Sequence, residues 1–128
     1  CDNDWKEKIM SEKIAFLTME MNITPEEAQA FWPVYNQVEQ QKDAALEEVI
    51  KSYRALKTAV EQNTDTERLL EAYLAAQQNL RKIDDEAPEK YKSVLSADKV
   101  AKLYVAEEKF RRQHIRKLHG GHKEDKSN

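Results

Sequence analysis

Three histidines, His114, His119 and His122, fall close together near the C-terminus and are followed by Glu124 and Asp125. Imidazole nitrogens and carboxylates are ligands for a divalent ion such as zinc, so this cluster is the metal-binding candidate of the chain. His119 and His122 flank Gly120-Gly121, and His114 lies about one helical turn further back, a spacing that permits convergence without requiring it. The competing reading is a solvated basic tail whose histidines titrate without consequence, and no other cofactor is expected. Cys1 is the only thiol, so no internal disulfide can form. It suits a lipid-anchored mature chain, a stray terminal thiol or an intermolecular disulfide, and the residue alone does not choose among them. The acidic runs Asp84-Asp85-Glu86 and Glu47-Glu48 suit a solvated helix face. No Ser/His/Asp or Cys/His arrangement has a supporting strand–turn context, and no glycine-rich loop is available to cradle phosphate. The expectation is therefore a protein that is not an enzyme.

Charge separates the two ends of the chain more than it characterises the whole. The 128 residues carry a net charge of −3, with 35% charged and 40% hydrophobic residues, which fits one soluble helical domain. From Lys99 onward nine Lys/Arg face four Asp/Glu, whereas the preceding residues hold 12 against 20. That basic C-terminal arm bears on partners, but the overall balance gives no push toward nucleic acid. No apolar run approaches the roughly 18 residues that a membrane-crossing helix needs.

Hydrophobic periodicity places four helices. Trp5, Ile9, Met10, Phe16, Leu17 and Met21 share one broad face of a first helix, which Asn22 ends. A second begins at Pro25 and carries a near-heptad stripe through Ala28, Phe31, Trp32, Tyr35, Val38, Ala45, Val49, Tyr53, Leu56 and Val60. Asn63-Thr64-Asp65-Thr66 breaks the chain, with Asp65 or Thr66 able to cap a third helix. That helix presents Leu69, Leu70, Tyr73, Leu74, Leu80, Ile83, Ala87 and Tyr91. A fourth presents Val100, Leu103, Tyr104, Phe110, Ile115 and Leu118 before Gly120-Gly121 stops it. Pro33 and Pro88 fall inside helical patterns, where each removes an amide hydrogen and should bend the axis. The predicted fold is all-α: an elongated, kinked hairpin of four helices in one domain over residues 1–119, with a disordered basic, histidine-containing tail at 120–128.

Two helix starts of similar design anchor this layout. In Ile23-Thr24-Pro25-Glu26-Glu27, Thr24 is a good N-cap, Pro25 suits the first helical position, and Glu27 can reach back to the Thr24 amide in a capping box. In Leu95-Ser96-Ala97-Asp98-Lys99, Ser96 caps and Leu95 can staple onto Val100, but Lys99 cannot complete a box.

The stretches Lys13–Leu17, Ile23–Asn36 with its Phe31-Trp32-Pro33-Val34-Tyr35 core, Leu95–Tyr104 and Glu107–Arg112 resemble envelope proteins of the Spy/CpxP-like group, in versions that occur in Bacteroidetes. That group has two Leu-Thr-x-x-Gln motifs at helix starts. Here Ile23 and Ser96 replace Leu and Thr, and the Gln positions hold Glu27 and Lys99. The resemblance, over about residues 13–118, implies an all-helical hairpin, a cradle-shaped homodimer and a periplasmic location. It implies an ATP-independent holdase for partly unfolded proteins, with lipid attachment at Cys1 one of the readings that its position already allows. Because relatives include metal-responsive envelope sensors, it also implies an alternative: a regulatory sensor that binds the exposed domain of a membrane-anchored anti-sigma factor or sensor kinase. For the holdase, the residues expected to meet clients are Phe31, Trp32, Tyr35, Arg54, Arg111, Arg112, Arg116 and Lys117. Most aromatics on the stripes should be helix–helix core, with some left over to line a concave face or a dimer seam.

Overall fold

The computed structural model describes the backbone of residues 2–127 and the side chains of residues 4–114. Cys1 and the side chains of Arg116, Lys117, His119 and His122 lie outside the described residues, so the lipid-anchor expectation and most of the histidine cluster do too. The chain is all-α, as its periodicity predicts: α1 (Asp2–Met21), α2 (Pro25–Gln62), α3 (Thr66–Lys92) and α4 (Ala97–Ser127), with no strand among the described residues. Contacts divide it into two compact units. One joins residues 1–28 to residues 95–128; the other comprises residues 29–94.

The first unit packs α1 against α4 in antiparallel fashion. Lys99 at the start of α4 meets the end of α1 through the Asn22 carbonyl, and Lys13 pairs with Glu107 further along at 3.4 Å. Leu17, Met21, Leu95, Val100, Leu103, Ala106 and Phe110 are buried, and Phe16 stacks on Phe110 with centroids 5.7 Å apart. Asn22 ends α1 in the left-handed region at φ 53°, a position where Asn follows Gly in preference. The expected α1 face is only partly core. Trp5 is 65% exposed, since twelve residues of helix turn it about 120° away from Leu17. At the far end, α4 carries through Gly120-Gly121 to Ser127 instead of stopping there. Glycine weakens a helix by about 1 kcal/mol relative to alanine but keeps its amide hydrogen, so unlike proline it does not break the ladder.

In the second unit, α2 from Gln29 and α3 form a helical hairpin. Tyr53 meets Tyr73 at 6.0 Å, Lys42 meets Asp84 at 3.5 Å and Tyr35 meets Tyr91 at 6.0 Å, and each pair lies equidistant in sequence from Asn63. The turn closes by a Schellman motif: the Thr64 amide donates to the Ala59 carbonyl at 3.0 Å and Asn63 takes φ 55°. Asp65 occupies the N-cap position of α3 but at φ 56°, with no side-chain cap bond. Its carboxylate turns instead to Arg68. The base of the hairpin is an aromatic cluster, in which Phe31 lies 4.8 Å from Trp32, 5.4 Å from Tyr35 and 5.5 Å from Tyr91. Toward the turn the fully buried side chains are small, Ala45 and Ala59.

Candidate functional site

The alanine seam leaves larger apolar residues outside. Leu46, Ile50, Tyr53 and Val60 on α2 and Leu70 and Leu74 on α3 are each 42–62% exposed. Every one of them follows a residue turned toward the seam: Ala45, Val49, Ser52 and Ala59 on α2, Leu69 and Tyr73 on α3, all buried or half-buried. One residue of helix is a rotation of 100°. Because α2 and α3 run in opposite directions, that rotation brings the side chains of both to the same face of the hairpin. The six residues therefore form one apolar strip, about 21 Å long from Leu46 to Val60. Their exposed side chains sum to roughly 500 Å², near the upper end of what a monomer's largest apolar patch covers.

Charge frames the strip without covering it. Lys57 lies on the same face between Tyr53 and Val60, and Arg54, Arg81 and Lys82 are exposed around it. At the base end Lys42 is held by Glu39 at 3.8 Å and Asp84 at 3.5 Å. Strip residues were legible as apolar, but Leu46 and Ile50 fall off the near-heptad stripe of α2, and Tyr53, Val60, Leu70 and Leu74 read as core. The overlooked signal is the row of doublets Ala45-Leu46, Val49-Ile50, Ala59-Val60, Leu69-Leu70 and Tyr73-Leu74. Two apolar stripes one residue apart span a wider arc than a two-helix seam can bury.

The two helix-start motifs meet within the first unit. Thr24 and Glu27 form a complete capping box: the Thr24 amide donates to Glu27 Oε1 at 2.8 Å, and the Glu27 amide donates to Thr24 Oγ1 at 3.1 Å. The Lys99 amide donates to Ser96 Oγ at 3.3 Å. Lys99 cannot close its own box, and its ammonium instead donates to Glu27 of the other box and to the Asn22 carbonyl. Lys99 first, and then the Thr24 amide, hold the Glu27 carboxyl below its ordinary pKa of 4.5. Through Glu27 and Lys99 the two capped starts are tied together, the Thr24–Glu27 box at the entry of α2 to the Ser96-capped entry of α4.

The residues expected to meet clients fare differently. Phe31 and Tyr35 are 0% exposed and Trp32 is half-buried, so the aromatic group of the motif is hairpin core, and the large exposed apolar residues of the second unit lie nearer the turn. Arg54 is exposed as expected. Arg111 and Arg112 are exposed, but both donate to Glu108, Arg111 through Nε at 3.1 Å and Arg112 through Nε at 3.0 Å. The two guanidiniums push the Glu108 carboxyl down to about 2, and Glu108 in turn raises the Arg111 pKa. This trio keeps a single net positive charge. His114 lies against Phe110 with centroids 4.2 Å apart, and no cluster of three or more candidate metal ligands occurs among the described residues. No helix is long and apolar enough to cross a membrane among the described residues. The chain matches no family model, no curated protein and no solved structure.

Proposed function

We propose that this chain is an ATP-independent holdase of the cell envelope, similar to the Spy/CpxP-like group, that captures partly unfolded proteins on the apolar strip of the α2–α3 hairpin. The observation that carries the reading is the strip itself: six large apolar side chains on one face, half exposed, with exposed basic groups at the margin. Such a surface binds weakly and without sequence preference, because apolar contact is non-directional while Arg54, Lys57 and Arg81 attract acidic segments at longer range. Weak capture limits aggregation yet lets a client leave and fold. A bend at Pro33 and Pro88, where the carbonyls of Gln29 and Asp84 lose their helix partners, would curve the hairpin round a client.

The experiment is light scattering of two unrelated denatured proteins diluted into buffer with an equimolar amount of the chain and no nucleotide. Suppression for both supports the reading. Absence of suppression, together with tight metal-dependent association with one membrane-protein domain, would mark the regulatory sensor instead.

A further inference from the structure

Two helical rows make up the apolar strip. On α2, Leu46, Ile50, Tyr53, Lys57 and Val60 follow one another at steps of four and three, and on α3 Leu70, Leu74, Gln77 and Arg81 do the same. Such steps keep side chains on one face of a helix. Each row carries one cation. Lys57 and Arg81 are exposed, and neither bonds to a carboxylate among the described residues. Pairs across the hairpin lie equidistant from Asn63, which sets Arg81 level with Ala45 and about 18 Å along the axis from Lys57. The two cations therefore stand near opposite ends of the strip, one on each side of the groove between the rows.

The nearby carboxylates do not cancel them. Glu39 and Asp84 are engaged by Lys42 at 3.8 Å and 3.5 Å. Asp43 and Glu61 on α2, and Glu67 and Asp85 on α3, lie about 40° further from the seam than the cation of their own helix, by residue count. An occupant also has to bring its own hydrogen bonds, because the amides and carbonyls of α2 and α3 along the strip are used inside their helices. A segment docked in extended form would bury backbone groups that find no partner, whereas a helical segment satisfies them within itself.

We propose that the strip selects amphipathic helical segments of its clients: a stretch of about 14 residues docks as a third helix in the α2–α3 groove, its apolar stripe against Leu46, Ile50, Tyr53, Leu70 and Leu74, with acidic residues near both ends that reach Lys57 and Arg81. This rests on the holdase reading and narrows it, since the pattern and sign of charge choose the segment and its exact sequence does not. The strip contributes roughly 500 Å² and the docked helix a similar area, so the pair buries about 1,000 Å², in the range of weak, reversible contacts. The client class is helical proteins caught before their amphipathic helices have packed.

Fluorescence anisotropy of labelled synthetic peptides of about 18 residues, titrated with the full chain, tests this. The first peptide carries an apolar stripe at helical spacing with Glu near both ends, the second has Lys in place of Glu, and the third scrambles the first so that no stripe forms. The first is expected to bind in the micromolar range and to gain helix by circular dichroism, and the other two to bind about tenfold or more weakly than the first. Lys57→Glu combined with Arg81→Glu should invert the preference between the first two peptides. Both positions are exposed, and a far-ultraviolet circular dichroism spectrum and melting temperature like the parent's confirm that the variant folds. Equal binding of the first and third peptides, or a charge preference that the double reversal leaves unchanged, overturns the proposal. Light scattering with two denatured clients separates it from the holdase reading. Suppression without discrimination among the peptides leaves the holdase and removes helix selection. Discrimination without suppression removes the holdase and supports the groove as a dock for an acidic amphipathic helix.

Discussion

Replacing Phe31 with Ala separates core from client contact at the position where sequence and structure disagree most. The ring is 0% exposed and sits within 5.5 Å of three other aromatic centroids, Trp32, Tyr35 and Tyr91. Truncating a buried phenylalanine costs about 3–5 kcal/mol, through lost burial and the cavity left behind. At about 2.1 cal/mol/K per residue, 128 residues give an unfolding entropy near 0.27 kcal/mol/K, so a loss of ~3 kcal/mol lowers the midpoint by roughly 11 °C. Thermal unfolding followed by circular dichroism at 222 nm reads this directly, with urea titration as an independent measure. Tyr53→Ala is the matched control: its ring is 51% exposed and has one ring neighbour, Tyr73. It should cost less than about 1 kcal/mol, as surface substitutions do. A Phe31→Ala chain that melts within about 2 °C of the parent while losing client capture would refute the reasoning, because only a surface ring behaves that way.

Three further outcomes follow from named contacts. Thr24→Ala removes the hydroxyl that accepts the Glu27 amide and should destabilise the chain by about 1 kcal/mol in urea unfolding. Acid should weaken the first unit: Glu27 and Glu108 have depressed pKa values in the folded chain, so their contributions are present above about 4.5 and are lost as pH falls through their folded values, about 2 for Glu108. Glu27→Gln should flatten that part of the stability–pH curve, and an unchanged acid limb would show that the Lys99 contact contributes nothing. Charge reversal at Arg54, Arg81, Lys57 and Lys82 should slow client association at low salt, with the effect shrinking as the Debye length falls to about 8 Å near physiological ionic strength. The same reversal at Arg111 and Arg112 should do less in a stopped-flow measurement, since Glu108 already engages both.

The four helices and their ends were legible because local chemistry dictates them. Asn22, the Thr24–Glu27 box, the Asn63–Asp65 turn and Ser96 act within a few residues of themselves, and the helix ends they mark fall where expected, whereas α4 runs past its expected stop at Gly120-Gly121 to Ser127. Partners across sequence were not legible. That Lys99 would bond to Glu27 rather than leave its own box open needs the packing of α1 on α4, which no local pattern specifies. The exposed apolar residues of the second unit were misplaced for a related reason. Aromatics suggest contact surfaces, but Phe31 and Tyr35 are fully buried at the base of the hairpin, and the exposed side chains nearer the turn are, apart from Tyr53, aliphatic. Helical periodicity identifies an apolar arc; how much of that arc a neighbour covers depends on the size of the seam residues.

The most direct test of the account is aggregation suppression by a chain whose strip has been made polar while its core is untouched. Ile50→Ser, Tyr53→Ser and Leu74→Ser combined alter three side chains that are 42–51% exposed and leave Phe31, Tyr35 and Tyr91 in place. With folding confirmed by circular dichroism, the account predicts that light scattering from two unrelated clients returns to the level seen without the protein, whereas the parent chain suppresses both. Suppression by the triple variant equal to that of the parent would contradict it.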